Sequence, residues 1–165
     1  MNSILAAAAV LVLAAATLHD LAARTVPNRL PAAIAMLGVG LRLAHGDALA
    51  GAVAAGAVLL GTGLCWSRGW LGGGDAKLAS AASLALPPSA IGQSLLAVAL
   101  AGGLLALIYL AAFKLVPRPA PGFRRGLPAR LLKAEAWRMH RRGPLPYAAA
   151  IAAGGLYSLL PLIAG

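Results

Sequence analysis

Apolar residues run through this chain in long blocks separated by short polar breaks. Six stretches read as helices in lipid: Ser3–His19, Leu30–Ala44, Asp47–Trp66, Asp75–Ile91, Ser94–Val116 and Pro146–Ala164. Backbone amides inside a bilayer have no water to bond, so each stretch is predicted to be helical. The second is short, and the fourth is weakened by Ser80, Ser83 and the Pro87-Pro88 pair. Abundant Ala and Gly suit helices that pack closely in lipid. The predicted fold is all-α: a polytopic bundle of about six transmembrane helices forming one membrane-embedded domain over residues 1–165. The first stretch lacks a basic n-region and no soluble domain resumes after it, so it reads as a span rather than a cleaved signal.

Composition sharpens this picture. Hydrophobic residues make up 61% of the chain and charged residues 11%, where a soluble domain carries roughly 25% charged. Fourteen Lys and Arg face only four acids, Asp20, Asp47, Asp75 and Glu135. On a membrane protein such an excess sets orientation and lipid contact. Nucleic acid is not an expected partner, because the aromatics are few and none interleave with the basic run. Cys65 stands alone, and His19, His45 and His140 are scattered without ligand spacing, so neither a metal nor another cofactor is expected.

With the N-terminus outside, the breaks after the first, third and fifth stretches face the cytoplasm. They hold Arg24, Arg29, Arg68, Lys77 and the run from Lys114 to Arg142, leaving only Arg42 on the other side. That asymmetry sets the expected orientation. Asp20 then closes the first helix and Asp75 opens the fourth, both at the cytoplasmic face. Residues 117–145 form a basic cytoplasmic loop. Within it, Pro128 to Arg142 could be an interfacial helix on anionic lipid or a dock for a partner; equally, the loop could do no more than enforce topology.

Acids at membrane depth default to functional hypotheses. Asp47 is placed to N-cap the third helix, and Glu135 can pair with Arg138. Asp75 could also be a cap, but a cap does not explain Gly72, Gly73 and Gly74 before it, since glycines are wanted where backbone must come close or φ must be positive. Asp20 sits where the helix dipole disfavours negative charge; a plain ion pair with Arg24 would account for it. Two acids at one face suggest a further role. Adjacent carboxyls do not both ionise readily, so one holds a proton while the other activates water. That is aspartic-protease chemistry, and it needs no metal, thiol or serine.

"DLAARTVPNRL" (Asp20 to Leu30) followed by "GGGDAKL" (Gly72 to Leu78) resembles the type IV prepilin peptidase family, and within it the short subgroup that serves tight-adherence (Flp-type) pili. The matching positions are Asp20, Arg24, Val26, Pro27 and Asn28, then Gly72, Gly74, Asp75 and Lys77, with a Pro146-Tyr147 opening of the last helix. The resemblance implies an inner-membrane aspartic endopeptidase of the Gly-x-Gly-Asp type, with Asp20 and Asp75 as the catalytic pair. Its substrate would be a prepilin, a short basic leader followed by an apolar helix, cut after a glycine at the cytoplasmic face. Larger members also methylate the new terminus through a segment with CxxC pairs; this chain has one cysteine, so methyl transfer is not expected. Presenilin-like enzymes share Gly-x-Gly-Asp but show Tyr-Asp at the first site and a later Pro-Ala-Leu, whereas here His19 precedes Asp20 and Pro-Ala-Leu does not occur.

Supporting roles stay open. Pro27-Asn28 makes the turn into the second helix with Asn28 as its cap. Lys77 could hold Asp75, anchor the glycine loop or serve as a topology charge. Two functions of other classes compete: a small proton- or ion-coupled transporter, and a non-catalytic scaffold of an envelope machine. Transport wants groups near the midplane reaching both faces, whereas these aspartates share one face.

Overall fold

The computed structural model describes residues 2–164 except for 116–144. Among the described residues six α-helices occupy the six apolar stretches: α1 (Asn2–Ala23), α2 (Arg29–His45), α3 (Ala48–Ser67), α4 (Gly73–Ala85), α5 (Ile91–Leu115) and α6 (Tyr147–Ala164). A 3₁₀ turn, Pro88–Ala90, leads into α5, and no strand occurs among the described residues. The basic run and its expected interfacial helix lie outside the described residues.

Among the described residues, three stretches are long and apolar enough to cross a membrane: Asn2–Ala23, Ala48–Ser67 and Pro88–Phe113. The architecture is that of a membrane helical bundle. Two of the shifted boundaries bear on the placement of the acids and the core. The fourth helix stops at Ala85 rather than Ile91, because Pro87 and Pro88 lack amide donors and Pro87 forces Leu86 into extended backbone (ψ 150°). The first continues to Ala23, so Asp20 lies inside the last turn of α1 rather than after it.

The chain divides into two compact units. One is Met1–Gly102 with Pro146–Gly165, the other Gly103–Leu145. In the first, α1 packs along α6 and α2, while α4 is wedged between α2 and α3 and touches α6. That central place suits a short helix of small side chains: Ala76, Leu78, Ala79, Ala81, Ala82, Ser83 and Ala85 are all buried. The α2–α4 crossing depends on a missing side chain, since a Cβ on Gly38 would lie 2.8 Å from the Ala85 amide nitrogen. Backbones can meet that closely only at glycine. Large apolar side chains point outward instead, among them Met36, Leu49, Leu60 and Leu100, as expected where the surrounding medium is lipid. Of the second unit the described part is the later half of α5, with Leu104, Leu107 and Leu110 exposed.

Arg42, expected as the one basic charge toward the outer side, is inside α2 and only 1% exposed. Its Nη1 donates to Asp47 Oδ2 at 2.7 Å. Asp47 does occupy the N-cap of α3, yet its side chain makes no capping bond. The nearby buried guanidinium outcompetes the helix amides for it, because a charged donor in a dry setting attracts a carboxylate more strongly than a neutral N–H does.

Candidate active site

Asp20 is buried at 6% exposure between α1 and the start of α6. Its Oδ2 accepts the main-chain N–H of Ala148 at 3.4 Å. The first amides of a helix have no partner within the helix and carry its positive pole, so the opening of α6 is directed at this carboxylate. Thr17, one turn earlier on α1, donates to Leu13 O at 3.0 Å and reaches Ala148 O at 3.4 Å. The two helices are thus tied together beside Asp20. Arg24 follows the end of α1 in the left-handed region (φ 55°), where glycine is usual. Its N–H donates to Asp20 O at 2.7 Å, closing the helix. His19 then secures the departing loop, Nδ1–H donating to Thr25 O at 2.7 Å.

Asp75 is the third residue of α4, whose N-cap is Gly72. It is half-buried and is not itself the cap. The glycines answer to space rather than to torsion. Gly72 has an ordinary φ of −69°. A Cβ there would sit 2.8 Å from Asp75 Oδ2, one on Gly73 3.1 Å from Trp66 Nε1, and one on Gly74 3.4 Å from Val26 Cβ. Gly72 therefore makes room for the Asp75 carboxylate to fold back over the helix start. Gly73 and Gly74 let the end of α3 and the loop after α1 close upon that turn.

The two motifs meet. Val26 lies against Gly74, and Lys77 Nζ donates to Asn28 Oδ1 at 3.2 Å. Asn28 holds the N-cap position of α2 but makes no side-chain capping bond, its amide being spent on Lys77. Asp75 is partly withdrawn from water. Pro27 contributes its carbonyl to Leu30 N–H at 3.0 Å, making the turn into α2. Three contributors were not singled out from sequence: Trp66, Thr17 and the Ala148 amide. The Pro146-Tyr147 opening of α6 was the available signal for the last, since proline at a helix start marks where free amides begin.

The type IV leader peptidase family matches residues 7–110, a span that holds both aspartates, the glycines and the Asn28–Lys77 link. The chain belongs to that family. This leader peptidase is thus a hydrolase of the prepilin-processing type, embedded in a membrane through apolar helices. No curated protein and no solved structure matches it. The match ends within α5, so α6, which delivers an amide to Asp20, lies beyond it.

Proposed function

We propose that this leader peptidase is an aspartic endopeptidase of the Flp-pilus type, cutting basic leaders from prepilins at the cytoplasmic face of the inner membrane. The observation that supports the reading is the meeting of the two motifs, Val26 against Gly74 and Lys77 on Asn28, each carrying one of the four acids in the chain. One carboxyl holds a proton and the other is ionised. The carboxylate takes a proton from a water between them as its oxygen attacks the scissile carbonyl, and the carboxyl protonates the carbonyl oxygen. The tetrahedral intermediate collapses with proton transfer to the leaving amine, freeing the leader with a new carboxylate and the pilin with a new N-terminus. The Ala148 N–H holds Asp20 in place, and Gly72 leaves Asp75 room to turn.

All six helices span in this reading, with the N-terminus outside, and the basic residues 117–145 rest on anionic lipid. The decisive experiment co-expresses a candidate prepilin with the wild type, Asp20→Asn and Asp75→Asn, and follows leader removal on a gel. Each variant is expected to lose at least about a thousandfold in rate, roughly 4 kcal/mol of barrier. Full processing by both variants would point to a scaffold. Proton-driven flux in proteoliposomes, lost in Asp20→Asn, would point to a transporter.

A further inference from the structure

Beside the Asn28–Lys77 link a groove of about 630 Å³ opens between α2 and α3, floored by α4. We propose that this groove is the berth of the substrate's apolar helix, the segment that follows the scissile bond; the proposal rests on the leader-peptidase reading above. One end is fixed by position. Asn28 and Lys77 form the rim, and Lys77 is two residues beyond Asp75 on α4, so an occupant that fills the groove ends within about one helical turn of Asp75. The walls fit a helix. Ala32, Ala35, Ala52 and Gly56 present almost no side chain, so a helix backbone can approach closely. Ser80, on the floor, donates to Ala55 O at 3.0 Å, which removes its polar demand and leaves the floor apolar.

The far end carries the second observation. Arg42 lines it, with its stem against Gly51, where a Cβ would fall 2.7 Å from Arg42 Cδ. Asp47 takes Nη1 at 2.7 Å, while the buried Nε and Nη2 have no partner. Those two nitrogens share the guanidinium edge that binds two acceptors side by side. An unpartnered pair of buried donors is costly, and an acceptor on the occupant relieves it. Asn28 and Arg42 stand fourteen positions apart on α2, about 21 Å at 1.5 Å per residue. The occupant is therefore an apolar helix lying parallel to α2, with a hydrogen-bond acceptor roughly fourteen residues past the cut, counted at that same rise. A lipid chain could fill the walls, but nothing about it would need to end at Asp75.

The test uses the full enzyme in membranes with a co-expressed prepilin whose leader the wild type removes. A benzoylphenylalanine photocrosslinker replaces Ala52, in the groove, or Leu60, 73% exposed on α3 and outside it. The expected result is a covalent adduct with the prepilin from position 52 and none from position 60. Adducts from position 52 with lipid alone, or with a second copy of the enzyme, overturn the berth. As an independent measure, Ala52→Trp should raise KM about tenfold or more with kcat within twofold, while Leu60→Trp changes neither; an unchanged KM for Ala52→Trp overturns it as well. Wild-type failure to process any prepilin would instead remove the peptidase reading itself, so the two failures are told apart.

Discussion

Asp47 and Asp75 look alike in sequence: each follows a glycine and stands at the start of an apolar helix. Their surroundings are opposite. Asp47 is held 2.7 Å from a buried arginine, and the pair is neutral. Asp75 lies half-buried on the glycine turn that meets the loop following Asp20, and glycine at Gly72 keeps the space behind its carboxylate open. A carboxylate matched to a cation is a structural tie. A half-buried carboxylate given room to turn is the kind of group found at functional sites.

The largest expected difference lies between the neutralised versions of these two acids. Asp75→Asn should abolish leader removal, by a thousandfold or more on the scale of lost acid–base catalysis, while leaving thermal stability unchanged or slightly higher. Asp47→Asn should do the reverse. It strands the Arg42 charge, at a cost of roughly 2 kcal/mol, below the usual range for breaking a buried pair because Asp47 is 32% exposed. Cleavage per folded molecule should fall less than tenfold. Melting in detergent, run beside the processing assay, reads both. Equal loss of activity in the two variants would erase the distinction.

The glycines sharpen the contrast at shorter range. Gly72→Ala has no backbone penalty at φ −69°, so its effect reports on the carboxylate alone. A Cβ 2.8 Å from Asp75 Oδ2 has to displace that side chain. Cleavage should drop roughly 10- to 100-fold, about 1.4 to 2.7 kcal/mol of barrier. Gly74→Ala meets Val26 at 3.4 Å, an ordinary contact, and should lose about threefold or less. Processing rates for the two alanine variants check the order. If Gly74→Ala were the more damaging, the glycines would be serving the loop approach and not Asp75.

How much of this was legible beforehand follows from the range of each signal. The six helices could be read because apolar blocks are a local property, and the end of α4 was missed only by setting the apolar run above Pro87. Asn28 and Asp47 were correctly placed at helix starts, since capping preference is also local. Their side-chain partners were not foreseen. Lys77 lies on another helix from Asn28, and the burial of Arg42 was not foreseen because hydropathy does not show which face of α2 turns inward. The glycines before Asp75 were rightly marked as unusual, but the expected reason included positive φ, and their torsions are ordinary. What they clear is space for Asp75, Trp66 and Val26, which is a property of the packed structure.

The smallest effect tests whether the two motifs act as one unit. The Asn28–Lys77 hydrogen bond spans 3.2 Å between exposed side chains, so solvent competes for both groups. A coupling of about 0.5 kcal/mol is expected, in the range of exposed charged contacts. Asn28→Ala and Lys77→Met should each slow cleavage two- to threefold, and the double variant should be no slower than either single one. That non-additivity is what a shared contact produces in a double-mutant cycle. Full additivity would mean that Lys77 and Asn28 act separately, Lys77 as an interfacial charge and Asn28 as part of the turn into α2. Lys77→Arg separates the remaining options: it retains charge at the membrane face but changes the geometry of the donor. Full activity would leave a topology charge sufficient, whereas a loss matching Lys77→Met would make the contact with Asn28 the feature that matters.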